Sequence, residues 1–180
     1  MTEKEAEDLC RMIRVGVDLS KPKYQPKTKK ELKNLVKELI KERGNKADLN
    51  DINTSKITDM SWMFDNSTFN GDISKWDVSN VKTMESMFYN SMFNQDISKW
   101  NISNVKNMRY MFSNSLFNGD ISNWDVSNVE NMSSMFRYSE FNEDISVIID
   151  VSMSFKLALS PLSFISFSIM SCNSSFVSGK

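Results

Sequence analysis

Aspartate recurs through this chain at a fixed step. Asp72, Asp96, Asp120 and Asp144 lie 24 residues apart, and Asp77, Asn101 and Asp125 form a second series five positions on. If each step is one turn of a repeating structure, these carboxylates stack into columns. Stacked carboxylates could hold Ca²⁺ through oxygen ligands, or trade protons as an acid–base pair. Two features weigh against both. The glycine-rich nonapeptide that binds Ca²⁺ in repeat coils is absent, and Asp is an ordinary turn residue that accepts backbone N–H bonds. An active site is also normally unique, whereas these groups recur in every unit. No catalytic and no metal-binding residue is expected, and the chain reads as a non-enzyme.

Other chemistry is excluded by composition. The chain has no histidine, which removes Ser-His-Asp and Cys-His arrangements and the commonest metal ligand. Its cysteines are Cys10 and Cys172, neither in a CxxC pair, so no zinc pattern or disulfide framework is present. No phosphate loop or nucleophile motif occurs, and no cofactor is implied. Lys and Arg number 22 against 23 Asp and Glu, a balance that argues against nucleic acid as a partner. Charge is uneven: residues 1–50 are Lys-rich and residues 51–146 are acidic.

The elements that carry these residues follow from self-similarity. Trp76, Trp100 and Trp124 keep the 24-residue step, as do Phe64, Phe88, Phe112 and Phe136, and Phe69, Phe93, Phe117 and Phe141. The methionine pairs Met60/Met63, Met84/Met87, Met108/Met111 and Met132/Met135 keep it too. They read as core filling, in preference to a soft-metal site, because their spacing already places them inside. A degenerate unit, "DLNDINTSKITDM" from Asp48, aligns under "DISKWDVSNVKTM" from Asp72. A period in the twenties is the leucine-rich-repeat range. The fold class expected is therefore an α/β repeat solenoid, leucine-rich-repeat-like, with an N-terminal helical cap. Trp76, Asp77 and Val78 alternate as a short strand does, while Val81, Met84, Met87 and Phe88 are spaced for a turn of helix or 3₁₀-helix. One unit cannot bury a Trp, two Met and two Phe alone, so each copy is the packing partner of the next. Ser79-Asn80, Ser103-Asn104 and Ser127-Asn128 should form an asparagine ladder to the neighbouring coil.

A constant core leaves other positions to vary. Lys82, Lys106 and Glu130 share one column, Glu85, Arg109 and Ser133 a second, and Tyr89, Ser113 and Arg137 a third. Tyr and Arg are enriched at interface hot spots, so Tyr89, Arg109, Tyr110, Arg137 and Tyr138 are the candidate protein-binding residues.

The segment "FNGDISKWDVSNVKTMESMFYNS" resembles the BspA-like bacterial surface-protein repeat, also described as the DUF285 or mycoplasma-lipoprotein-type repeat. Residues 48–146 fit its pattern, with Trp, two Met and two Phe holding position in successive copies. The resemblance implies a leucine-rich-repeat-like solenoid, a place at the cell surface or in secretion, and a role in adhesion to host or other cells. It implies a protein or host-surface ligand and no enzyme activity.

Three segments are expected: residues 1–47 as a helical segment and cap, 48–146 as four repeat units, and 147–180 as an atypical Ser-rich apolar tail. "PKTKKELKNLVKELIKERGN" reads as one helix, with Thr28 as N-cap, Glu31 completing a capping box, Leu32, Leu35, Val36, Leu39 and Ile40 on one face, and Gly44 just past its end. "MTEKEAEDLCRMIRVGV" lacks the apolar core of a signal peptide, so the chain as written is expected to stay in the cytoplasm. No apolar run is long enough to span a membrane, and no membrane association is expected. The repeat breaks after Ser146, where Ile148 stands in the Trp register. The tail reads as an apolar cap, an anchor, or foreign sequence from a frameshift. In the last case the chain is a fragment without independent function, prone to end-to-end self-association.

Overall fold

The computed structural model describes residues 22–143. The tail 147–180 therefore lies outside the described residues, as do Cys10, Cys172 and Asp144. Among the described residues one regular element is found, helix α1, Lys29–Arg43. Its start is chemically marked: the Glu31 N–H donates to Thr28 Oγ1 at 3.2 Å, satisfying a donor the helix cannot pair internally. Glu31 Oε2 in turn accepts from the Lys27 N–H at 2.8 Å, one residue earlier than in the usual reciprocal box. The helix stops at Gly44, whose φ of 87° lies where side-chain-bearing residues are disfavoured, and whose N–H closes on the Ile40 carbonyl at 2.8 Å. Leu32, Val36 and Leu39 are buried in the same core as the first coil. Lys29–Asp59 at 3.0 Å and Arg43–Asp51 at 2.9 Å tie the helix rim to that coil. Such partly exposed pairs contribute at most about 1 kcal/mol each, so the apolar face does most of the holding.

The rest is a stack of coils with a 24-residue repeat and little regular secondary structure. Parallel single-residue bridges join Asp59 to Thr83, Thr83 to Asn107 and Asn107 to Asn131, so register advances one period per coil. Another bridge joins Asp48 to Asp72, in phase with the degenerate first unit.

Two local expectations are corrected. The strand anticipated at Trp76–Val78 is absent, and the bridges that recur from coil to coil run instead through the residue that precedes each Met pair. The reason lies in where the backbone bonds go. The Trp76 N–H turns back to the Ile73 carbonyl and the Val81 N–H to that of Val78, while Asp77 Oδ1 accepts the Ser79 N–H at 3.0 Å. These local turns consume the groups a strand would need. The helical turn over Val81–Phe88 is absent too. Ser86 and Asn90 have φ of 53° and 49°, which no right-handed helix accommodates. Alternate amides of this stretch leave the coil: those of Met84, Ser86, Phe88 and Asn90 donate to the carbonyls of Asn107, Arg109, Met111 and Ser113. The amides of Met87 and Tyr89 close local turns onto Met84 and Ser86.

The side chains repeat with the backbone. Phe64, Phe88 and Phe112 stack with centroids 5.5 Å apart and planes within 1°, and Phe136 continues the column. Phe69, Phe93, Phe117 and Phe141 form a second column beside it. Each indole N–H reaches back one coil: Trp76 to the Leu49 carbonyl at 3.0 Å, Trp100 to Ile73 at 3.3 Å, and Trp124 to Ile97 at 3.2 Å. A buried Trp thus contributes apolar area without leaving a stranded donor. The expected asparagine ladder is present, with Asn80, Asn104 and Asn128 Nδ2 donating to the carbonyls of Ser55, Ser79 and Ser103 at 2.8–2.9 Å. Gly71 marks the tightest backbone approach, since a Cβ there would fall 2.1 Å from the Ala47 carbonyl oxygen.

Candidate functional site

Each coil places two residues in the left-handed region, four apart. The first column holds Trp62, Ser86, Tyr110 and Ser134, with φ of 58°, 53°, 56° and 56°. The second holds Asn66, Asn90, Asn114 and Tyr138, with φ of 53°, 49°, 57° and 57°. Asn is among the residues that tolerate this conformation best, and the second column uses it three times. There it also forms a ladder, Asn90 Nδ2 donating to Asn66 Oδ1 at 2.7 Å and Asn114 Nδ2 to Asn90 Oδ1 at 2.5 Å. Bulky residues with positive φ are outliers that cost on the order of 1–3 kcal/mol each. Trp62, Tyr110 and Tyr138 stand at such positions, and burial does not repay the cost at the two ends, where Trp62 is 42% and Tyr138 77% exposed.

These residues face one groove. Trp62, Ser86, Tyr89, Tyr110, Arg137 and Tyr138 line it, with Ser113 and Asn114 between them, around a volume of about 400 Å³. That lies toward the small end of ligand-binding clefts. Trp62 and Tyr89 meet at 6.3 Å with planes tilted by 55°, a tilted aromatic pair on the groove wall. Ser86 is fully buried in the groove wall, and its Oγ has no hydrogen-bond partner among the described residues.

The charge in the groove is basic. Arg137 lies over the Tyr138 ring at 4.8 Å and donates to its hydroxyl at 3.2 Å; Arg109 treats Tyr110 the same way, at 4.8 Å and 3.4 Å. The hydrogen bond from Arg109, then its charge, pulls the Tyr110 hydroxyl below the ordinary tyrosine range. The hydrogen bond with Tyr138 raises Arg137. Among the described residues no carboxylate lines the groove.

Of the residues singled out in the sequence, Tyr89, Tyr110, Arg137 and Tyr138 come together here. Arg109 does not line the groove and reaches it through Tyr110. Trp62 and Ser86 escaped the sequence reading. A signal for Trp62 was available, because it is the tryptophan that falls outside the Trp76/Trp100/Trp124 register.

The aspartate columns are turn-formers. Asp72, Asp96, Asp120 and Asp125 each accept the N–H of the serine two residues on, at 2.8–3.0 Å. Hydrogen bonds from the Ser98 hydroxyl and amide hold Asp96 below the usual carboxylate range; at Asp72 burial pushes upward, and the bonds from Ser74 and Asn50 outweigh it. Among the described residues no group of three or more His, Cys, Asp or Glu could hold a metal ion. No described helix is long and apolar enough to cross a membrane.

Stacked coils with a uniform core and one non-uniform aromatic face define a repeat protein. The family described as "Mycoplasma protein of unknown function, DUF285" matches residues 30–148, well over half of the chain. The chain belongs to that family. No curated protein and no solved structure matches it.

Proposed function

We propose that this chain is a non-catalytic protein-interaction module of the surface-protein repeat type, a leucine-rich-repeat-like solenoid that serves adhesion or cell-surface recognition through its aromatic groove. One observation carries the reading. Trp62, Tyr110 and Tyr138 occupy left-handed positions where other coils place Ser or Asn, and they turn toward one shared cleft. A sequence that spends conformational energy to display aromatic rings gains nothing from it in the core. Strain of this kind gathers at functional sites, and Trp, Tyr and Arg are the residue types that dominate interface energetics.

The test is binding of the fluorescently labelled full chain to intact cells, bacterial and eukaryotic, by flow cytometry, against a Trp62→Asn/Tyr110→Asn double variant. Saturable binding that the variant loses by about tenfold or more supports the reading. Equal binding by both proteins, or none by either, removes it.

A further inference from the structure

We propose that the groove binds a proline-rich segment of a partner protein, held in the polyproline II conformation and carrying an acidic residue toward the Arg137 end. This rests on the groove being the recognition surface. Three observations carry it.

The first is spacing. Trp62 and Tyr110 share a column but sit two coils apart, with small Ser86 between them. Hydrogen-bonded ladders step by about 4.8 Å, so two steps separate these positions by roughly 9–10 Å. A polyproline II helix rises about 3.1 Å per residue with three residues per turn, about 9 Å in all, so its residues i and i+3 come round to the same face at the same interval. One face of such a helix therefore meets Trp62 and Tyr110 in register, and residues i+1 and i+2 turn to its other faces as it passes over small Ser86.

The second is ring geometry and polarity. Trp62 and Tyr89 form a tilted pair, 6.3 Å between centroids and 55° between planes, and together present an angled aromatic surface for a proline ring to pack on. A polyproline II segment makes no internal hydrogen bonds and keeps its carbonyls free. Tyrosine hydroxyls, here those of Tyr89, Tyr110 and Tyr138, are donors for those carbonyls. Aromatic-lined grooves are a recurring solution for such ligands, because the preformed helix loses little entropy on binding.

The third is charge. Arg137 lines the groove, Arg109 backs Tyr110, and no carboxylate stands among the described lining residues. An acidic side chain on the ligand finds a guanidinium already oriented by its tyrosine, and a basic one finds repulsion.

The experiment is fluorescence polarisation with the full-length chain and a labelled peptide of about ten residues, built of Pro-Pro-Ala triplets and ending in two glutamates. Three comparators accompany it: the same peptide with Ala for every Pro, one ending in two lysines, and an oligogalacturonate as an acidic sugar. The expected result is saturable binding of the Pro/Glu peptide. Affinity should fall about tenfold or more with the Ala peptide, with the Lys peptide, and with the Tyr110→Asn or Arg137→Ala protein. No binding, equal binding of the Ala peptide, or binding of the sugar in place of the peptide overturns the proposal. Thermal melts of both variants show that they are folded. If the peptide fails while the Trp62→Asn/Tyr110→Asn chain still loses cell binding, the recognition surface stands and only the ligand class falls.

Discussion

Trp62 and Tyr110 hold the same position in two coils, with φ of 58° and 56°, and Ser86 separates them in a column where the backbone favours neither ring. The core cannot explain them, since Ser86 and Ser134 serve the same turn in the other coils. Replacing Tyr138 by Asn, the residue of Asn66, Asn90 and Asn114 in its own column, should extend the ladder and relieve strain. A gain of about 1 kcal/mol in urea unfolding is expected for Tyr138→Asn.

The phenylalanine columns should be the most sensitive part of the molecule. Phe112 is fully buried and stacks on Phe88, Phe117 and Phe136. Phe112→Ala removes a ring from the middle of the stack and leaves a cavity on both sides. A loss of about 3–5 kcal/mol is expected by denaturant unfolding.

Gly71 offers a sharper steric test. A methyl group there meets the Ala47 carbonyl oxygen, and that carbonyl also accepts the Asp72 N–H at 3.0 Å. Neither backbone can move without straining that bond and its neighbours, the Asn70 N–H to the Asn45 carbonyl and the Leu49 N–H to the Asp72 carbonyl. Gly71→Ala should cost about 1–3 kcal/mol, read from the shift in thermal midpoint.

Acid should loosen the turns. The Asp96, Asp120 and Asp125 carboxyls are held below their ordinary range by hydrogen bonds from Ser98, Ser122 and Ser127. Groups with lowered folded pKa contribute stability that is complete above the unfolded value, about 3.9, and disappears as pH falls through the folded one. Stability should therefore decline below about pH 4. Asn101 already makes the same turn to Ser103, at 3.2 Å, without a titrating group. An Asp96→Asn/Asp120→Asn/Asp125→Asn chain should keep its fold at neutral pH and lose much of that acid sensitivity, as measured by urea unfolding across pH.

What the sequence disclosed follows from which signals are unambiguous. A 24-residue period in Trp, Phe and Met fixes what stacks on what, and α1 announced itself through Thr28, its apolar face and Gly44. Local conformation was harder to read. Trp76-Asp77-Val78 alternates like a strand, but the Asp77 turn to Ser79 gives the same alternation without a strand's bonds. Met84, Met87 and Phe88 have helical spacing, yet the left-handed Ser86 between them lets consecutive turns bring the same three side chains inward. Tyr89, Tyr110, Arg137 and Tyr138 were recognisable as exposed and variable. That they converge with Trp62 depends on how three columns, those of Trp62/Tyr110, Tyr89/Arg137 and Tyr138, lean across the coils, which spacing alone does not reveal.

The central claim is that Trp62, Tyr110 and Tyr138 stand at left-handed positions for recognition and against stability. Equilibrium urea unfolding of Trp62→Asn tests it most directly. The account predicts an unchanged slope and a higher midpoint, equivalent to about 1 kcal/mol of added stability. A lower midpoint would show that Trp62 is held there by its packing, and the argument for a binding surface would lose its foundation.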